Sequence, residues 1–213
     1  MNVRPNPPLP PILETVEHYY SERLAAFGTT PQGVDWNSAE SQMLRFSRLL
    51  VVVGDDQDVS LNDYGCGYGA LVDYLGPARE RFSYVGFDIS GPMIAAACAR
   101  YADVPRCVFT SDAAALRPAD YCVASGIFNV KLSHHADAWL EHVLGTLATL
   151  DALSLRGFAF NMLSTYSDPP RRRDDLFYAD PLQMFDLCKR RFSSRVALLH
   201  DYPLYEFTMI VRK

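Results

Sequence analysis

Apolar positions change their period along the chain. Ile12, Leu13, Val16, Tyr20, Leu24 and Phe27 recur three or four residues apart, as on one face of a helix, and Gly28 follows as a stop. After turn-prone residues 29–36, Asn37 is placed to cap a second helix, with Glu40 reaching back in a capping-box arrangement. Met43, Phe46, Leu49, Leu50 and Val53 would form its buried face. Beyond Gly54 the pattern becomes short apolar runs separated by helical stretches. It predicts strands over Val59–Tyr64, Tyr84–Asp88, Cys107–Thr110, Tyr121–Ser125 and Phe158–Leu163, with helices over 69–76, 91–101 and 136–153. Strands and helices alternating in this way form a parallel sheet with helices on both faces.

The end of the chain breaks that rhythm. A helix over Pro181–Arg191 is followed by two apolar runs, from Arg195 and from Glu206, separated by a few residues around Pro203. A parallel crossover needs about a dozen residues or more, so these two strands are expected to close the sheet as an antiparallel hairpin.

Composition narrows the classes. The 213 residues are 49% hydrophobic and 21% charged, ordinary values for a globular chain. The net charge of −5 gives no basic footprint, so a nucleic-acid partner is not expected. Cys66, Cys98, Cys107, Cys122 and Cys188 are scattered, with no Cys-x-x-Cys pair and no Cys/His spacing for zinc. Reduced thiols and no metal follow as the expectation. Residues 1–11 are proline-rich, predict an extended arm, and lack the apolar core of a signal peptide. Because no later run approaches the ~18 apolar residues of a membrane span, a soluble cytoplasmic protein without a membrane partner is expected.

The chemistry concentrates at the carboxyl ends of successive strands, where ligands bind in open α/β sheets. Asp63, Gly65, Gly67 and Gly69 stand where the first strand turns into its helix. Asp88 ends the second strand, a carboxylate suited to a ribose diol; Asp112 follows the third, where it could accept from an adenine amino group; Ser125 ends the fourth. A dinucleotide site wants Gly-x-Gly-x-x-Gly, and Ala70 stands where its third glycine would be. Spacing alone leaves that open. An acid two positions before the first glycine suits a cationic ligand better than a pyrophosphate.

Together these residues resemble the Rossmann-like, S-adenosylmethionine-dependent methyltransferases, including uncharacterised bacterial members, over roughly the last three quarters of the chain. The resemblance implies an α/β fold with a seven-stranded, mostly parallel sheet, helices on both faces, a C-terminal antiparallel hairpin strand and an N-terminal helical cap. Residues 1–56 would be arm and cap, and 57–213 the core of a single domain. It implies S-adenosylmethionine as cofactor, with Asp63, Gly65, Gly67, Asp88, Ile89, Asp112, Ala113 and Ser125 around it. Tyr20, Trp36 and Arg45 from the cap join them, Arg45 as a holder of the cofactor's carboxylate; on residue type alone, Gln42 and Arg45 also fit a solvated helix face. The acceptor is expected to be a small molecule, and homodimerisation stays open.

Methyl transfer needs a base only if the acceptor must lose a proton. His134 and His135 follow the fourth strand closely and are candidates, although the exposed first turn of the helix from Ala136 is the preferred reading for them. Tyr20 could close over the reacting groups, and Asn129 and Lys131 could hydrogen-bond the acceptor. Arg171, Arg172 and Arg173 would suit an anionic group, but Asp174 and Asp175 adjoin them. Lys189, Arg190 and Arg191 suit a helix C-terminus. Two other readings compete: a catalytically silent S-adenosylmethionine-binding regulatory subunit, and an NAD(P)-dependent oxidoreductase.

Overall fold

The computed structural model describes residues 9–213, so most of the expected arm lies outside the described residues. Pro11 opens the first helix, α1 (Pro11–Phe27), at a position where its missing N–H has no cost. The second helix, α2 (Ala39–Leu49), is capped by Ser38 rather than Asn37: the Ser38 hydroxyl accepts from the Ser41 amide at 3.2 Å. Two capping residues stand side by side in the sequence. Ser38 is the one with extended backbone immediately before the first helical residue.

Seven strands follow: β1 (Val59–Tyr64), β2 (Phe82–Phe87), β3 (Cys107–Thr110), β4 (Ala119–Ala124), β5 (Ser154–Leu163), β6 (Arg195–Leu199) and β7 (Glu206–Arg212). Four helices connect them: α3 (Ala70–Leu75), α4 (Gly91–Arg100), α5 (Ala136–Ala152) and α6 (Pro181–Arg191). The strand order is β3-β2-β1-β4-β5-β7-β6. The first five strands are mutually parallel, while β7 runs antiparallel to both neighbours, as the short link before it requires. β2, β4 and β5 each begin earlier than their apolar runs. In β5 the added residues include Leu155 and Arg156, both exposed, because ladder pairing continues where burial stops.

One face of the sheet packs Leu61, Tyr84, Val123 and Ile210 against α2 and α3. The other packs Phe158, Phe160, Phe207 and Met209 against Trp139, Val143, Leu147 and Leu150 of α5 and Met184 and Cys188 of α6. Central strands covered on both faces carry apolar residues at successive positions, as β5 does from Phe158 to Phe160.

A charged contact runs through this core. Glu206, at the start of β7, is almost fully buried and receives Arg45 of α2 bidentately, Nε at 2.8 Å and Nη2 at 2.7 Å. Asn161 of β5 donates its Nδ2 to the same carboxylate at 3.1 Å, and its Oδ1 accepts the Gly126 amide at 2.7 Å. The guanidinium also lies 3.8 Å from the Trp36 ring centroid. A side chain at Gly126 would collide with that ring. Helix α2, two strands and the loop after β4 are thus held in one register.

Removing one partner of a buried pair leaves an uncompensated charge, at a cost of roughly 3–5 kcal/mol. Glu206→Gln should therefore destabilise the protein by about that amount in chemical denaturation. A double replacement, Arg45→Met with Glu206→Leu, should recover most of the loss.

Candidate active site

The three turn glycines all have positive φ: 81° at Gly65, 55° at Gly67 and 85° at Gly69. That conformation lets the chain fold back on β2. The Gly65 and Cys66 amides both donate to the Phe87 carbonyl, at 2.7 and 2.9 Å, and the Gly67 amide donates to Asp88 Oδ2 at 2.8 Å. The Gly69 amide donates to the Cys66 carbonyl at 3.0 Å. These four amides are engaged inside the protein. A pyrophosphate cradle would need them turned outward.

The turn forms one end of a cavity of about 310 Å³, lined also by α1, α2, α5 and the loops after β2 and β4. Asp63 and Asp88 lie on its wall, and no lysine or arginine does among the described residues. Burial pushes the Asp63 carboxyl up to about 7; the Tyr84 hydroxyl, donating to it at 2.7 Å, opposes the rise and the charge of Asp88 adds to it. Asp88 is also raised by burial, with the Ser90 and Gly67 amides pulling the other way. Two desolvated carboxylates without a basic partner favour a cationic ligand and disfavour a phosphate. Ser125 lines the same space, and its buried Oγ has no partner among the described residues. Such an orphan fits a ligand that brings its own hydrogen-bonding group.

Of the residues expected around the cofactor, the cavity wall holds Tyr20, Trp36, Asp63, Gly65, Gly67, Asp88, Ile89 and Ser125. Asp112 and Ala113 are exposed and off the wall; Asp112 accepts the Ala114 amide at 2.9 Å, capping its own 3-10 turn. Arg45 is also off the wall. The expectation that it holds a cofactor carboxylate, or faces solvent, gives way to its pairing with Glu206, an acid distant in sequence.

The expected bases fare differently. His135 is exposed at the N-cap of α5, with Nδ1 3.5 Å from the Asp137 amide. His134 Nε2 lies 2.6 Å from Thr15 Oγ1 of α1. Neither lines the cavity. Tyr20 does, but burial and the nearby Asp35 raise its phenol well above the usual value, so it keeps its proton at neutral pH. Asn129 and Lys131 turn elsewhere: Asn129 Oδ1 accepts the Leu163 amide at 2.9 Å, and Lys131 Nζ donates to the Leu132 carbonyl at 3.3 Å. Arg173 pairs with Asp175, and Arg172 donates to the Ser167 and Thr165 carbonyls. Lys189 Nζ reaches the Ser194 carbonyl at 2.6 Å, just past the end of α6.

Sequence reasoning missed the contribution of α5. Trp139, His142, Thr146 and Thr149 face the cavity at spacings of three and four. The signal was present as a polar stripe flanking the buried Trp139, Val143, Leu147 and Leu150. What it faced was not visible in the sequence.

The family described as "Methyltransferase domain" matches residues 63–149. A Mycobacterium tuberculosis protein, named "Putative methyltransferase Rv1506c", is 52% identical over 162 residues, covering 76% of this chain and 98% of that one. Among solved structures, the N-methyltransferase NodS of Bradyrhizobium japonicum, in complex with S-adenosylhomocysteine, superposes with a TM-score of 0.63 at 15% identity, over 92% of this chain and 98% of that one. The 1,6-didemethyltoxoflavin-N1-methyltransferase of Burkholderia thailandensis gives 0.60 at 19% identity, over 98% and 93%. At these identities the structures show a shared fold. With the close relative and the domain match added, the chain belongs to the Rossmann-like, S-adenosylmethionine-dependent methyltransferases.

Proposed function

We propose that the cavity binds S-adenosylmethionine through the turn and the acids beside it, and that the protein methylates a small-molecule acceptor. The observation that carries the reading is the wall itself: a buried carboxylate at Asp63, a half-buried one at Asp88, no lysine or arginine among the described residues, and turn amides already engaged. Asp63 would hold the cationic amino-acid end and Asp88 the ribose hydroxyls. Ile89 and the orphaned Ser125 hydroxyl would complete the nucleoside side. When bound, the cofactor supplies a methyl group on a sulfonium, whose carbon–sulfur electron pair returns to sulfur on transfer. The chain's own residues orient and exclude water: Leu13, Val16 and Tyr20 of α1 cover the cavity, and Phe46 and Trp36 line it from α2 and the segment before it. Dry, aligned surroundings are the main requirement for a direct displacement.

A small acceptor is supported by the largely apolar cavity and by a net charge of −5, which gives no overall attraction to nucleic acid. The Burkholderia relative, named for a small heterocyclic acceptor, shares the fold. The decisive experiment incubates the protein with methyl-labelled S-adenosylmethionine and a fractionated cell extract. Label should enter the low-molecular-weight fraction and not protein or RNA. Binding of NAD without S-adenosylmethionine, measured calorimetrically, would sink the cofactor assignment.

Two further outcomes are expected. Asp88→Asn should weaken S-adenosylhomocysteine binding about 10- to 100-fold in calorimetry, the weight of one or two hydrogen bonds to a charged group. Affinity for S-adenosylmethionine should also fall as pH drops below about 7, the value to which Asp63 is raised. The cationic ligand selects the ionised carboxylate, so protonation competes with binding and the loss approaches about tenfold per pH unit. Asp63→Asn should flatten that pH dependence.

A further inference from the structure

The link from β3 to β4, residues 111–118, holds a single 3-10 turn, Ala113–Ala115, and no helix. A crossover between parallel strands commonly carries a helix over the sheet. Here the cavity includes Tyr64 of β1 and Phe87 of β2 and reaches along α5 as far as Thr149, in its last turn. The cavity therefore has a second wall, formed by α5 and contributing nothing to the acids at the glycine turn.

The polar groups on that wall share one character. Thr146 donates its hydroxyl proton to the His142 carbonyl at 3.0 Å, and Thr149 donates to the Gly145 carbonyl at 3.1 Å. Both oxygens are left as acceptors. The His142 imidazole packs against Trp139, with ring centroids 5.2 Å apart, and has no hydrogen-bond partner among the described residues. Around them stand Tyr64, Phe87, Ile127 and Trp139. Apolar, partly aromatic walls with a few convergent acceptors suit a flat ligand carrying an O–H or N–H.

The other titratable groups on the cavity wall do not offer a proton acceptor there. Burial raises the phenols of Tyr20, Tyr64 and Tyr68 and the thiol of Cys66, so all keep their protons at neutral pH. Asp63 and Asp88 belong to the glycine-turn end. Burial first, and then the charge of His134, hold the His142 imidazole below its ordinary value, which keeps it neutral and able to accept.

We propose that His142 is a catalytic residue that binds the methyl acceptor, a small aromatic or heteroaromatic molecule bearing a hydroxyl or N–H group, and takes its proton. The inference rests on the small-molecule reading above and deepens it. The acceptor's proton passes to a ring nitrogen, the lone pair left on the acceptor heteroatom forms the new bond to the methyl carbon as the carbon–sulfur bond breaks and its electron pair goes to sulfur, and the imidazolium then returns the proton to water. Thr146 and Thr149 accept further hydrogen bonds from the same molecule.

An adenine amino group is also a donor on a flat ring, so the test must separate cofactor from acceptor. His142→Gln and His142→Ala are compared with the native protein for S-adenosylhomocysteine affinity and for label transfer into the low-molecular-weight extract fraction. Affinity should stay within about twofold while transfer falls about 100-fold or more, the usual weight of a general base. Added imidazole should restore part of the activity of His142→Ala, which a merely structural role would not allow. In ¹⁵N-histidine spectra of the native protein, the His142 ring signals should stay in place on saturation with S-adenosylhomocysteine. A tenfold loss of affinity, or a shift of those signals on adding S-adenosylhomocysteine, would assign the α5 wall to adenine and overturn the proposal. Transfer within threefold of native would overturn it as well. If the native protein binds S-adenosylhomocysteine but labels no small molecule, the small-molecule reading itself fails, and the failure is recognisable as such because it occurs before any substitution.

Discussion

The Arg45–Glu206 pair joins parts of the chain that would otherwise be free to settle independently. Arg45 sits on α2 and Glu206 opens the antiparallel strand, with Asn161 of β5 and the Gly126 amide continuing the chain of contacts. A buried ion pair adds little net stability relative to a well-packed apolar alternative, because desolvation offsets the attraction. What it supplies here is register. The carboxylate satisfies both the guanidinium and the Asn161 amide group, and a shift of β7 by one residue would turn Glu206 to the opposite face of the sheet. Through Asn161 the same contact fixes the loop after β4, which carries Ser125 to the cavity wall.

The glycine turn works by a different principle. Its backbone donors point toward the end of β2, where the Phe87 carbonyl and the Asp88 carboxylate accept them. Asp88 is thereby oriented by two amides, those of Gly67 and Ser90, with further lone pairs on its oxygens for a ligand. The turn thus shapes and holds an acid, whereas a dinucleotide turn of similar composition presents amides to phosphate. Burial raises both Asp63 and Asp88, and a cationic ligand would relieve that unfavourable ionisation. The cavity's electrostatics and the turn's hydrogen bonds therefore favour the same kind of cofactor.

Helical and strand periodicities placed the seven strands and six α-helices of the described residues, because period and turn chemistry are local properties. The boundaries moved where local signals were degenerate. Asn37 and Ser38 are equivalent caps in sequence, and the direction of chain entry chose the second. The acids and glycines at strand ends were legible too, since the topology of such a sheet brings those ends together. Asp112 shows the limit of that reasoning: it stands at a strand end, yet its carboxylate caps its own turn and faces solvent.

By itself the sequence determined the alternation of strands and helices, the closing hairpin, the glycine turn and the acids flanking it. Each is written in spacing along the chain. Only the tertiary structure decided which charged residues are buried partners and which histidine meets the cavity. Arg45 and Glu206 lie far apart in sequence and touch through packing of α2 on β7. His134, His135 and His142 are close together in the chain, but helical rotation and the docking of α1 leave the first two at the outer end of α5 and turn the third inward. A side chain's direction within a helix follows from its period. What lies in that direction is set by the elements packed against it, and those are distant in sequence.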